Sequence, residues 1–400
     1  LGGLNTELPC SRSGLNLITV CRFKCVMVER YDDYYRIGLV RDLMSQFKGA
    51  IIGAGYFSRF QYEAWNRIPE VTIVANCNRS VEKAEAFANE FGIPKSYPAS
   101  EFRQMLEAEK PDFVDIITPP ETHLELCEIA SELGVTIICQ KPLAPTWDET
   151  LQLSEVIQKS GVRCMVHENW RWQPWYREIK KLLQADTIGD IFHCNVHTRL
   201  GDGWGDDAYL ARQPFFREYK RLFIFETGVH FLDTFRFLFG EVENIHAHIA
   251  RRNPVIKGED SALLLCTHAN GVTSLLDANR YNESEAENPR YTFGTMRIEG
   301  SKGHLELELD GSIRIKKLGE PSYLHAYAPS KENFAGDCVY NTQRHFIDTL
   351  ISGREFESTV EDYLKSVRLV EDAYASAHQS RAPAQNALID LSIDLSKKKS

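Results

Sequence analysis

From position 47 onward, short apolar runs alternate with longer segments whose apolar residues recur every three or four positions. Ala50 to Ile52 reads as a buried strand inside the stretch FKGAIIGAGYFS, and a helical segment follows over 59–67. The pattern then gives strand 71–78, helix 81–91 closed by Gly92 and Pro94, strand 113–118, helix 121–133 ended by Gly134, strand 135–139, helix 146–159 and strand 162–166. Strands that alternate with helices predict a doubly wound parallel sheet covered on both faces. Functional groups are then expected at the carboxyl ends of the strands.

After His167 the pattern changes. A helical piece over 175–185 leads to a strand over 191–199, a long aromatic and Gly-rich loop over 200–223, and a helix over 226–238. Segments of strand character follow at 242–250, 261–269, 272–281, 292–299, 304–309 and 312–317, and two amphipathic helices at 341–351 and 360–379 close the pattern. Strands in succession without intervening helices favour an open, mostly antiparallel sheet with one face covered. The expected class is therefore α/β: a parallel-sheet domain over 44–166, an α+β domain over 167–385 for substrate binding and oligomerisation, and a tail over 386–400. Residues 1–43 hold three of the ten cysteines and no clear period, and their apolar piece 15–28 is broken by Arg22 and Lys24, a poor secretory signal. Met44 reads as the working start, which leaves 1–43 as an extension outside the native protein; the alternative is an arm that covers another subunit or the cofactor.

Composition narrows the function classes. Apolar residues make up 43% and charged residues 26%, as in soluble globular proteins. The net charge of −10 opposes binding to nucleic acid or an anionic membrane surface, and no apolar stretch is long enough to span a bilayer. The cysteines are scattered without metal-ligand spacing, which fits reduced thiols in the cytoplasm.

The chemistry starts at Gly53-Ala54-Gly55-Tyr56-Phe57-Ser58. Gly53 permits the tight strand-to-helix turn, Gly55 lets the backbone approach a pyrophosphate, and the loop with Tyr56 and Phe57 opens a helix whose N-terminus attracts phosphate. At the end of the second strand stands Asn78-Arg79-Ser80 where an NAD enzyme places a carboxylate, so Arg79 and Ser80 favour the 2'-phosphate of NADP over NAD. Lys141 ends a strand and can polarise a substrate hydroxyl, with partial burial lowering its pKa; a surface lysine is the alternative. Glu226 and His230, four apart on the expected helix, share a face, with His230 as proton acceptor and Glu226 as its support; a buried structural histidine is the alternative. Asp233 reads as a structural acceptor. Asn169, Arg171 and Trp172, with Trp204 and Arg212, suit a polyhydroxylated substrate, although core or interface roles fit them equally. His193 with His197 and His246 with His248 lack neighbouring carboxylates or thiols, and no metal is expected.

Together these residues resemble the Gfo/Idh/MocA oxidoreductase family over about 47–379. The resemblance rests on AIIGAGYFS, on Ile117-Thr118-Pro119-Pro120-Glu121-Thr122-His123, on Gln140-Lys141-Pro142, on Asn169-x-Arg171-Trp172-x-Pro174, and on Glu226-x-Gly228-x-His230-x-x-Asp233. It implies a Rossmann domain followed by a domain whose open sheet often pairs two subunits, hence a homodimer or homotetramer. It also implies Lys141 and His230 as the catalytic pair, with Thr118, Pro119, His123 and Gln140 beside the cofactor. The family usually has Glu-Lys-Pro; Gln140 removes a charge next to Lys141 and should leave it easier to deprotonate. Glu226 likewise replaces the family's usual Asp. Within the family, the segments HENWRWQ and GDGWGDDAYLARQPFF look like sugar dehydrogenases of the D-apiose type. The expected activity is NAD(P)-dependent oxidation of a sugar or polyol; the alternatives are an NAD-dependent glycosidase of the same family and a non-catalytic dinucleotide-binding regulator.

Overall fold

The computed structural model describes residues 47–379. The expectations for 1–43, for Met44 as the start and for the tail 386–400 lie outside them.

Strand β1 (Phe47–Ile52) is buried from Gly49 onward because it lies in the middle of the first sheet, and helix α1 (Ser58–Arg67) packs on it through Tyr62, Ala64 and Trp65. The chain continues through β2 (Val71–Asn78), α2 (Val81–Phe91), β3 (Ser96–Pro98), α3 (Phe102–Glu109), β4 (Phe113–Ile116), α4 (His123–Glu132), β5 (Thr136–Gln140), α5 (Trp147–Ser160) and β6 (Cys164–His167). All neighbours in the order β3-β2-β1-β4-β5-β6 pair in parallel. Order reverses direction at β1, so the carboxyl ends of β1 and β4 border the crevice that a doubly wound sheet offers to a ligand. Helix α3 and strand β3 are not apparent in the sequence pattern, since both are short.

Helix α6 (Pro174–Gln184) leads into an eight-stranded sheet formed by β7 (Ile191–Arg199), β8 (Val242–Ala250), β9 (Ser261–His268), β10 (Thr273–Asn279), β11 (Thr295–Gly300), β12 (Gly303–Leu307), β13 (Ile313–Lys317) and β14 (Tyr323–Leu324). Pairing is antiparallel except between β7 and β10, which run parallel in the middle of the sheet. Alternation along β7 to β10 buries Cys194, Val196, Leu264, Cys266 and Leu276 on one face. Helix α7 (Val229–Phe239), buried at every position but the half-buried Phe237, packs under α9 (Val360–Gln379), which also covers β8. Helix α8 (Cys338–Ser352) returns to the first sheet: Phe346 meets Trp65 and Phe113, and Arg344 pairs with Glu70.

Candidate active site

The Gly-rich turn is built as its sequence requires. Gly53 has φ +117°, and a Cβ there would stand 2.6 Å from the Ile117 carbonyl oxygen, so only glycine fits where the first strand leaves the sheet. A Cβ at Gly55 would meet nothing nearer than Ser58 Oγ at 3.8 Å, which leaves the loop surface open to the cleft. The first turn of α1 carries no acidic side chain, so its N-terminal dipole is free to attract a phosphate. Asn78 Oδ1 accepts from the Ala54 amide at 3.1 Å and fixes the turn from the end of β2. These features fit a dinucleotide.

A cleft of about 560 Å³ runs from this turn to the second sheet. Of the residues expected at the cofactor, Gly55, Tyr56, Phe57, Thr118, Pro119 and Gln140 line it, as does Lys141. His123 does not: it is buried, with Nε2 2.8 Å from the Thr118 carbonyl and Nδ1 3.2 Å from that of Leu143, so it ties together the two loops that form the cleft wall. Ser80 is also occupied, accepting from the Lys83 amide as the cap of α2 and donating to Glu82 at 2.7 Å. Arg79 is exposed beside it.

Lys141 and His230 both face the cleft, each with its own carboxylate. The ammonium of Lys141 donates to the Glu226 carbonyl at 2.7 Å and to Glu226 Oε1 at 3.2 Å. Glu226 therefore meets Lys141 and not His230, contrary to the shared helical face read from the sequence. The reason is local: Ile224–Gly228 forms a π-helical turn, wider than the α-helix on which four-residue spacing aligns side chains. Burial raises the Glu226 carboxyl, but Lys141 and Arg280 outweigh it and hold the group at about 2. The charge that Gln140 lacks beside Lys141 is thus supplied from the opposite wall.

His230 is supported by Glu168, a residue the sequence reading passed over. Glu168 Oε1 lies 2.5 Å from His230 Nδ1 and also accepts from the Trp170 amide, while Oε2 accepts from the Tyr363 hydroxyl at 3.0 Å. This carboxylate assigns the proton to Nδ1 and leaves Nε2 as the acceptor toward the cleft. Burial lowers the His230 pKa, with Glu168 opposing and Lys141 assisting, so the ring is neutral near pH 7. The Trp170 ring stacks on it at 4.6 Å with planes 2° apart, which prevents rotation. A signal for Glu168 was available: it directly follows β6, at the carboxyl end of a parallel strand.

The remaining substrate candidates divide. Asn169 and Arg212 line the cleft, with Arg212 donating to Asp202, which Arg280 also grips through two bonds of 3.0 and 2.6 Å. Arg171 does not reach the cleft. Its guanidinium is buried in a two-point pair with Asp233 at 2.8 and 2.6 Å, which ties both residues into the interior of the fold. Trp172 is buried against His345 and under Arg177, and Trp204 is half-exposed outside the cleft lining. Trp170 and Phe293, 4.2 Å apart, provide the aromatic wall instead. His193 Nδ1 meets Thr273 Oγ1 at 2.9 Å, and among the described residues no cluster of three metal-ligating side chains occurs.

Comparison with known proteins bears on this arrangement. The family model described as "Oxidoreductase family, NAD-binding Rossmann fold" matches residues 47–168, and that of the "GFO/IDH/MocA C-terminal domain" matches 176–306. A D-apiose dehydrogenase of Paraburkholderia graminis is 36% identical over 84% of this chain and 89% of its own length. A second D-apiose dehydrogenase, from Rhizobium rhizogenes, is 32% identical over 86% and 99%. Among solved structures, an oxidoreductase from Agrobacterium radiobacter in complex with NAD+, L-tartaric acid and magnesium superposes with a TM-score of 0.76 at 31% identity, covering 84% of this chain and 98% of the other.

Proposed function

The chain belongs to the Gfo/Idh/MocA oxidoreductase family, and on that premise we propose how its own residues carry out the reaction. It is an NAD(P)-dependent enzyme that transfers a hydride between a nicotinamide cofactor and a hydroxyl-bearing carbon of a sugar or polyol. In the proposed arrangement His230 Nε2 removes the hydroxyl proton while Glu168 stabilises the imidazolium that forms. Lys141 donates to the same oxygen, and Glu226 with Arg280 fixes the position of its ammonium. Asn169 and Arg212 bind neighbouring hydroxyls. A bound nicotinamide supplies the hydride acceptor. The observation that carries this reading is that Lys141 and His230, remote in sequence, face one cleft beside the Gly-rich turn.

The cofactor loop at Gly53, Gly55, Tyr56 and Phe57 is completed by Thr118 and Pro119, while the Gln140 side chain turns instead to the Lys141 amide and Gln61. Asn78 and Ser80 are engaged within the protein, so the preference for NADP over NAD rests on Arg79 alone and is small. D-apiose is the first substrate to try, because two relatives bear that name. The proposed setting is cytoplasmic, which the buried free thiols among the described residues support, and the proposed assembly is a homodimer or homotetramer. Among the described residues no helix is long and apolar enough to cross a membrane.

The test is turnover of a sugar panel, followed by nicotinamide absorbance. Lys141→Ala and His230→Ala should each lower kcat by roughly 100-fold or more. If both stay within a few-fold of the unaltered enzyme, the assignment is wrong.

A further inference from the structure

Behind Lys141 lies a buried polar chain that the reaction itself does not use. Gln140 Oε1 accepts from the Lys141 amide at 2.8 Å, and Gln140 Nε2 donates to Gln61 Oε1 at 3.0 Å. Gln61 Nε2 donates in turn to both oxygens of Asp115 at 3.0 Å, and Trp65 Nε1 donates to Asp115 Oδ2 at 2.7 Å. Gln61 and Asp115 are fully buried, and among the described residues no cation pairs with Asp115.

Both ends of this chain have a fixed sense once Asp115 is ionised. A backbone amide and an indole can only donate, and an ionised carboxylate can only accept. The two glutamine amides between them therefore have one orientation each in which every donor meets an acceptor. A misplaced amide would leave two like groups opposed inside the core, where an unmade hydrogen bond is costly.

We propose that Asp115, Gln61 and Gln140 form a directional hydrogen-bond chain that positions Lys141, and that residue 140 is Gln here because Asp115 already takes the Gln61 donor. The proposal rests on the catalytic reading of Lys141. A glutamate at 140 would accept from the Lys141 amide, but its second oxygen would face Gln61 Oε1. Turning Gln61 only moves the conflict, since its oxygen would then face Asp115. An asparagine at 115 creates the opposite fault. Its oxygen must serve the Trp65 indole at the Oδ2 position, where it still accepts from Gln61, but its NH2 group then takes the Oδ1 position 3.0 Å from Gln61 Nε2, and turning both glutamines brings an NH2 group against the Lys141 amide.

The two faults cancel when combined. With Q140E and D115N together, the carboxylate now at position 140 accepts from the Lys141 amide and from Gln61 Nε2. Gln61 Oε1 then accepts from the NH2 group introduced at position 115, whose amide oxygen accepts from the Trp65 indole. The whole chain runs in the reverse sense with no group unmatched.

The experiment compares the full chain with Q140E, D115N and the double variant, by thermal unfolding and by steady-state kinetics, both at pH 8. Burial pushes the Asp115 carboxyl up to about 7 against its Trp65 and Gln61 donors, and pH 8 keeps it ionised. Each single substitution should lower the midpoint by about 5 °C and kcat by about tenfold, with KM for the nicotinamide cofactor moved less than about threefold. The double variant should return to within about 2 °C and about threefold of the unaltered enzyme. Midpoint losses that simply add in the double variant overturn the proposal, and so does a restored midpoint without restored kcat. If one single variant does not fold, recovery in the double variant still decides. If the unaltered protein turns over no sugar, the catalytic reading of Lys141 fails separately, while the midpoints continue to test the chain.

Discussion

Glu168 permits a substitution that separates charge from orientation. Its Oε1 accepts from the Trp170 amide and faces His230 Nδ1, while Oε2 meets only the Tyr363 hydroxyl, which can rotate to accept. In Glu168→Gln the amide oxygen can therefore keep the Trp170 and His230 contacts while the NH2 group turns to Tyr363. The tautomer survives and only the negative charge is lost. That charge raises the His230 pKa against burial, so removing it lowers the pKa further. The acid limb of kcat/KM for sugar oxidation, set by loss of the neutral imidazole, should shift to lower pH. With no carboxylate to stabilise the imidazolium, kcat should fall roughly 10- to 100-fold. A pH–rate profile measured from about pH 5 to 9 checks both effects, and an unmoved acid limb removes Glu168 from its role.

At the scale of elements, the sequence reveals what depends on backbone and conceals what depends on remote partners. Gly53 is legible because a strand-to-helix turn makes a demand on its own φ. Gly53→Ala must place a Cβ against the Ile117 carbonyl, held in the sheet by the Ile117 amide's bond to Ile52, and should cost about 3 kcal/mol or more. Gly92→Ala, at a helix end with φ +71° and open space around it, should cost about 1 kcal/mol. Denaturant unfolding of the two variants, with NADH titration of whatever folds, distinguishes a turn built for the cofactor from an ordinary helix end. Arg171 was not legible in the same way. Its residue type and aromatic neighbours suggest sugar binding, but its destination is set by Asp233, 62 positions away. The π-helical turn over Ile224–Gly228 escaped for a related reason, since its start is held by Glu259, which accepts from the Leu222 and Ile224 amides far along the chain. A wide turn leaves the local apolar spacing nearly unchanged, yet it decides which partner Glu226 meets.

At the scale of the molecule, the second sheet presents a face that the described residues leave largely open. Leu263 and Leu265 are 44% and 40% exposed in the middle of β9, and Phe192 is 56% exposed on β7. Leu265 pairs across to Leu275, so with Leu263 three leucines form one patch, flanked by His246 and His248 on β8 and by Asn195 on β7. Eight strands at about 4.8 Å spacing, most of five to nine residues at about 3.3 Å each, give a face on the order of 800 Å². That is the area each partner contributes to a stable complex. A second copy meeting this face through its own Leu263 and Leu265 would form a two-fold interface in which each substitution acts twice. The purified protein should therefore sediment at twice the single-chain mass or more. Leu263→Glu with Leu265→Glu should shift it to one chain's mass, since two carboxylates per subunit would be buried against apolar partners. Its circular dichroism should be unchanged, because neither side chain enters the core. Sedimentation of the unaltered protein as a single chain would exclude the assembly, and an unchanged mass in the double variant would place the interface elsewhere on the surface.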